Sequence, residues 1–205
     1  MLIHHPLDEA LATWSHIAIL RALQDSAQGL TGREIARQAG LSHRACYRAL
    51  ARLEQLHVLQ RQRGGKTHFL RLNRRHQLVS KAILPLFTAE RNFSSEFYSV
   101  LRKRLGRYAL SVILFGSVAR KQERPESDVD LCFVVQGRKE KSALQKKVHE
   151  ISSPMFQQFG ALIAPIFLTL AEFQKKARSK SQPVADILAQ GIVIAGISLR
   201  KLRYG

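Results

Sequence analysis

Residues 109–115, Ala-Leu-Ser-Val-Ile-Leu-Phe, form an almost wholly apolar run that ends on Gly116-Ser117. A run of that length reads as a buried strand. Ten residues separate Ser117 from Asp128, and Asp128-Val129-Asp130 opens a second apolar run that reaches Val135. Positions i and i+2 on a strand share one face, so the two carboxylates project together. This pairing constrains the fold most: a sheet must present two like charges on one face. Two such aspartates are costly unless solvated or neutralised, and a divalent cation, Mg²⁺ or Mn²⁺, is the usual neutraliser. Mg²⁺ takes one or two carboxylates plus substrate phosphates. Gly116 lets a backbone approach a phosphate closely, and Ser117 can donate a hydrogen bond. The turn over 118–122 offers amides to an anion. The alternative is a pair of strand-end aspartates that cap a turn.

The remainder of this region alternates helix and strand patterns. Residues 139–159 read as a helix with a basic outer face, and 162–170 as a third apolar strand. Short helices follow over 172–178 and 183–190, then an apolar segment over 191–197. Arg200, Lys201 and Arg203 read as a solvated tail.

The N-terminal third has a different period. Leu11, Trp14, Ile17, Ala18 and Leu20 recur at helical spacing, which predicts one helix over 9–25 with Trp14 in its core. Thr31-Gly-Arg-Glu34 is a capping-box sequence that starts a short helix over 32–39. Gly40 suits the left-handed residue at its end, and Ser42 caps the next helix, 43–56. Cys46, Ala49, Leu50, Leu53 and Leu56 make a buried stripe, while His43, Arg44, Tyr47, Arg48 and Arg52 fall elsewhere on the wheel. Two β-like runs, 58–63 and 67–72, flank Gly64-Gly65 and predict a hairpin carrying Arg61, Arg63 and Lys66.

Residues 76–105 join the two regions. Leu78, Val79, Ile83 and Leu84 are helix-like, Pro85 should end or kink the helix, and Phe87, Phe93, Phe97, Val100, Leu101 and Leu105 resume the pattern. An apolar face of that length has to pack on the C-terminal domain, on the first helix or on a second subunit. The expected domains are 1–75, a connector over 76–105, and 106–205. Charge narrows the partners. Lysine and arginine number 33 against 15 acids, a net charge of +18. Residues 1–75 carry 12 basic and 5 acidic side chains, and residues 76–205 carry 21 and 10. The excess is spread over both halves, which favours polyanionic partners such as DNA, RNA or nucleotide phosphates. Two cysteines, Cys46 and Cys132, have neither metal-ligand nor framework spacing, and no apolar run is long enough to span a membrane. A reduced, cytoplasmic chain with no membrane partner is expected.

Two resemblances follow from these residues. Arg33 to Ser42 resembles the E-I-A-x-x-x-G-L-S turn of bacterial winged helix-turn-helix regulators, and Leu50-Ala-Arg-Leu-Glu54 resembles the end of their recognition helix. That resemblance implies double-stranded DNA as partner, with Arg44, Tyr47 and Arg48 near base edges and His43, Arg52, Arg61, Arg63 and Lys66 alongside. It also implies a homodimer on paired half-sites. Leu114 to Arg120 and Pro125 to Leu131 resemble the motifs of the polymerase-β-type minimal nucleotidyltransferases. The implied fold class is α+β: a winged helix-turn-helix, a helical connector, and a nucleotidyltransferase fold with a small mixed sheet and flanking helices. By position, Gly116, Ser117 and Arg120 would hold a nucleoside triphosphate, and Asp128 and Asp130 would ligate metal and carry any catalysis. Active members of that family supply a third carboxylate from a later strand, but residues 160–169 contain no acid. Glu172, Glu150 and Asp186 are the other acids to consider. Three functions stand: a DNA-binding transcriptional regulator with the second domain as nucleotide sensor or effector, an enzyme transferring a nucleoside monophosphate to a protein or RNA acceptor, and a non-catalytic scaffold whose second domain binds only protein.

Overall fold

Thr13 takes extended backbone and its hydroxyl accepts from the His16 amide at 3.2 Å. The helix expected over 9–25 is therefore two, α1 (Pro6–Ala10) and α2 (Trp14–Leu23). Trp14 is the first residue of α2 and is 63% exposed, so it is not a core residue. The core instead takes His16, whose Nδ1 donates to the Glu9 carbonyl at 3.0 Å, together with Ile19, Leu20 and Leu23. The computed structural model describes residues 2–64 and 67–204.

The capping box forms: Thr31 accepts from the Glu34 amide, and Glu34 Oε2 accepts from the Thr31 amide at 2.8 Å, opening α3 (Gly32–Gln38). Gly40 has φ +64°, a left-handed conformation that costs glycine little, and Ser42 then caps α4 (His43–Gln55). The stripe of α4 is buried at Cys46, Ala49, Leu50 and Leu53. Strands β1 (Leu59–Gly64) and β2 (Thr67–Leu72) pair antiparallel from Leu59 with Leu72 to Gly64 with Thr67. Lys66, expected on this hairpin, lies outside the described residues. A single bridge from Leu30 to Leu70 borders the other edge of β2.

A π turn, Val79–Ile83, runs directly into α5 (Leu84–Leu105). Proline within an α-helix clashes with the carbonyl four residues earlier. The wider π turn relieves that clash, so Pro85 stands at the second position of α5 and the chain stays helical. By packing, the chain divides into two compact units, Met1–Phe93 and Ser94–Gly205. Val79, Ile83 and Phe87 join the first core, where Arg21–Glu90 and Arg91–Asp25 ion pairs hold the start of α5. Phe97, Leu101 and Leu105 join the second.

The second unit is a mixed four-stranded sheet in the order β5-β4-β3-β6. Strand β3 (Ser111–Leu114) runs antiparallel to β4 (Val129–Val135) and to β6 (Ile192–Gly196), whereas β5 (Ile163–Thr169) runs parallel to β4. β3 and β4 are buried almost throughout, which is why their sequences read as continuous apolar runs. Between β3 and β4 lies the one-turn helix α6 (Gly116–Ala119); α7 (Arg138–Phe159), α8 (Leu170–Arg178), α9 (Val184–Gln190) and α10 (Leu199–Tyr204) follow. The expected solvated tail is α10: Leu202 is fully buried against the core that includes Phe173. The whole is an α+β fold with helices on the mixed sheet. No helix among the described residues is long and apolar enough to cross a membrane.

Candidate functional site

Asp128 immediately precedes β4, and Asp130 is its second residue, with Val129 buried between them. Alternation at Val129 turns both carboxylates to the other face, as their spacing requires. Gly116 stands at the end of β3 with φ +72°, and a Cβ there would collide with Asp130 Oδ2 and lie 2.9 Å from its carboxyl carbon. The positive φ strains any other residue, and a side chain there would also displace the Asp130 carboxylate. The Phe115 amide donates to the Asp130 carbonyl at 3.0 Å, which locks this end of β3 to β4. Ser117, half-buried, is the next residue of α6.

Burial raises the pKa of Asp130 above the usual carboxylate value, the Asp128 charge raises it further, and Arg120 opposes both. Arg120 is therefore close enough for its charge to matter at the site, although its Nε donates to Gln122 at 3.2 Å. Neither carboxylate has a hydrogen-bond or ion-pair partner among the described residues. No group of three or more His, Cys, Asp or Glu among those residues is arranged to hold a metal ion.

The parallel register shows what stands opposite. Ala164 of β5 pairs with Asp130, Ile163 with Val129, and the Val129 amide donates to the Leu162 carbonyl at 2.7 Å. The strand position beside Asp130 thus carries a methyl group. Glu172 lies at the far end of β5: Thr169 pairs with Val135, five residues and about 17 Å along the strand from Ala164. There Glu172 closes a second capping box on Thr169 and pairs with Lys141 at 3.0 Å. Glu150 pairs with Lys147, and Asp186 accepts from Gln182. None of the three stands in for an acid on β5.

The first unit presents a cationic surface. His43, Arg44, Tyr47 and Arg48 are exposed on α4, and the His43 and Tyr47 rings lie 4.3 Å apart. Tyr47 also roofs α3: a Cβ on Gly32 would lie 2.8 Å from its hydroxyl. Arg44, Arg48 and Arg63 have no hydrogen-bond or ion-pair partner among the described residues. Arg52 and Arg61 differ. Arg52 grips Glu9 through Nε (3.0 Å) and Nη2 (2.5 Å), and Arg61 grips Glu54 through Nε (2.8 Å) and Nη2 (2.6 Å). A cleft of about 460 Å³ between α3, α4 and the hairpin brings Arg33, Arg61 and His68 to its lining beside Tyr47. Arg33 is visible in the sequence only as part of the turn motif, and nothing in its spacing marks it as lining a cleft.

Two family models match the chain: residues 95–197 match the nucleotidyltransferase domain, and residues 15–60 match the winged helix-turn-helix DNA-binding domain. No curated protein matches it.

Proposed function

We propose, from the premise that the chain belongs to the nucleotidyltransferase domain family, that it is a DNA-binding transcriptional regulator whose second unit senses a nucleotide. With the winged helix-turn-helix ahead of that domain, it is a DNA- and nucleotide-binding protein. The observation that carries the sensor reading is Ala164 opposite Asp130. A nucleotide-side pair of carboxylates is present, and the strand that would complete a nucleophile-side site has a methyl group, not a carboxylate, beside Asp130.

The donor set fits Mg²⁺ or Mn²⁺ arriving with a nucleotide: two carboxylates supply hard oxygens, and substrate phosphates supply the rest. Asp128 and Asp130 would hold the ion, and bound there it would draw charge from the phosphate oxygens. The chain's own residues do the remainder. Gly116 keeps the turn close to Asp130, the Ser117 hydroxyl donates to a phosphate oxygen, and the Arg120 guanidinium offsets phosphate charge. On DNA, Arg44, Tyr47 and Arg48 read the major groove, with His43 and Arg63 in support. Arg52 and Arg61 serve chiefly to brace α4 against α1 and β1. We assign DNA binding to 1–75, the connector to 76–105 and nucleotide binding to 106–205, with a cytoplasmic homodimer reading paired half-sites.

The test has two arms. DNA-binding isotherms with and without NTP and Mg²⁺ are expected to differ; superimposable curves would remove the sensor role. Incubation with α-labelled NTP, metal and cell extract is expected to leave acceptors unlabelled. Label transferred by the wild type and lost in Asp128→Asn would make the chain an enzyme with a protein or RNA acceptor. If the methyl group is what withholds chemistry, Ala164→Asp is expected to gain metal affinity.

A further inference from the structure

Arg71 lies between buried Leu70 and Leu72 on β2, so its side chain leaves the hairpin on the opposite face. Its register partner is Gln60. The neighbouring pair, Arg61 with Leu70, faces α4, as the Arg61–Glu54 ion pair shows. The Gln60–Arg71 face is therefore turned away from the recognition helix. On that side Arg71, Arg74, Arg75, Gln60, Asn73 and Ser26 border a cavity of about 440 Å³. That volume is in the range of small-ligand sites. No acid lines it.

The floor of the cavity is organised in advance. Gln60 Nε2 donates to Asn73 Oδ1 at 2.9 Å, and Asn73 Nδ2 donates to the His57 carbonyl at 2.9 Å. Arg74 Nη2 donates to the Gln24 carbonyl at 2.7 Å. The Arg71 and Arg75 side chains have no hydrogen-bond or ion-pair partner among the described residues. Three arginines thus line the recess with no acid among the lining residues, a composition that favours an anion.

We propose that this cavity binds a compact polyphosphate anion, of the class of pyrophosphate, triphosphate or the phosphate chain of a nucleotide, at a second site distinct from Asp128 and Asp130. Concavity favours a small ligand over a DNA strand, whose phosphates are met on an open surface. Arg71 and Arg75 supply the charge, and Arg74, anchored by Gln24, sets the wall.

The test is calorimetric titration of the full-length protein with inorganic tripolyphosphate, without divalent metal, at fixed ionic strength. Under those conditions the unneutralised aspartates of the second unit repel the anion. Saturable binding is expected, weakened at least tenfold in Arg71→Gln/Arg75→Gln and severalfold in Arg75→Gln alone. The exposed Arg75 keeps the test valid if the Arg71 change disturbs folding, which circular dichroism checks. Binding unaltered in both variants would overturn the proposal. So would absence of tripolyphosphate binding together with a DNA affinity that falls evenly across sequences in Arg75→Gln, because the groove would then bind the DNA backbone.

Discussion

Both units are basic overall, but their candidate sites leave opposite charges uncompensated. In the first, Arg44, Arg48 and Arg63 stand on the reading surface with no acid beside them, while Arg52 and Arg61 are each gripped by a glutamate. In the second, Asp128 and Asp130 crowd one face of the sheet, and only Arg120 opposes their repulsion. Several other acids are engaged in caps and ion pairs: Glu34 and Glu172 in capping boxes, Glu90, Glu150 and Asp25 in pairs. Uncompensated charges thus stand at both candidate sites, where a ligand of opposite sign is expected. They mark binding sites better than total charge does, since the excess of +18 is spread over the whole chain.

The largest expected effect lies in the second unit. Asp128→Asn/Asp130→Asn removes both hard oxygen anions, and Mg²⁺-dependent NTP affinity is expected to fall by about 100-fold or more. Gly116→Val reaches the same end by displacing the Asp130 carboxylate. Equilibrium dialysis with and without Mg²⁺ reads both; affinity unchanged in either variant would place the nucleotide elsewhere. DNA binding comes next. Arg44→Ala/Arg48→Ala is expected to cost roughly 1–3 kcal/mol for each arginine that reads a base and to relax sequence preference. Arg52→Ala is expected to weaken binding far less, because its guanidinium is held by Glu9. Mobility shifts at several salt concentrations separate the two. Equal losses of affinity would show that the ion-paired arginine also turns to DNA.

A smaller effect tests the idea of uncompensated charge itself. Asp130 has its pKa raised by burial and by Asp128, so the folded protein binds its proton more tightly than the unfolded chain does. The penalty is full above the raised value and is relieved as pH falls through it towards the ordinary carboxylate value. Asp130→Asn should therefore raise the melting temperature at pH 7 in metal-free buffer, with the gain shrinking as pH drops. A melting temperature unaffected at pH 7 would mean that the pair carries no strain without its ligand.

Much of this is legible in the sequence, for reasons that differ by element. Thr31 with Glu34, Gly40 and Ser42 are local signals, each resolved within a few residues, and all three form in the fold. Gly116, Ser117 and the aspartates are legible because close approach and charge restrict the residue types. The features that depart from the sequence pattern are decided by tertiary packing. A helical period runs through residues 9–25, but Thr13 caps a new helix and leaves Trp14 in solvent. Pro85 reads as an end or a kink, and what the sequence does not reveal is that a π turn runs directly into α5 just before it. Leu199 and Leu202 are at helical spacing, but two positions make too short a period to reveal that α10 docks on the core. The ion pair of Arg52 with Glu9, 43 positions away, has no local signature at all.

The smallest expected effect compares the two capping boxes. Thr31 and Glu34 open α3 in the first unit, and Thr169 and Glu172 open α8 in the second. Each glutamate is held below the ordinary carboxylate range, first by the backbone amide of its threonine; Thr31's hydroxyl adds to this for Glu34, and Lys141 for Glu172. Their contributions are complete above the unfolded carboxylate pKa and are lost as pH falls through the lowered folded values, opposite in sign to Asp130. Losing a threonine cap costs about 1 kcal/mol, so Thr31→Ala and Thr169→Ala are expected to destabilise by similar amounts. Where that cost falls is the informative part. If each unit unfolds on its own, calorimetry will show Thr31→Ala lowering one transition and Thr169→Ala the other, by about 4 °C each. If both variants shift one common transition, α5 couples the two cores, because Phe87 and Phe97 on that one helix belong to different ones.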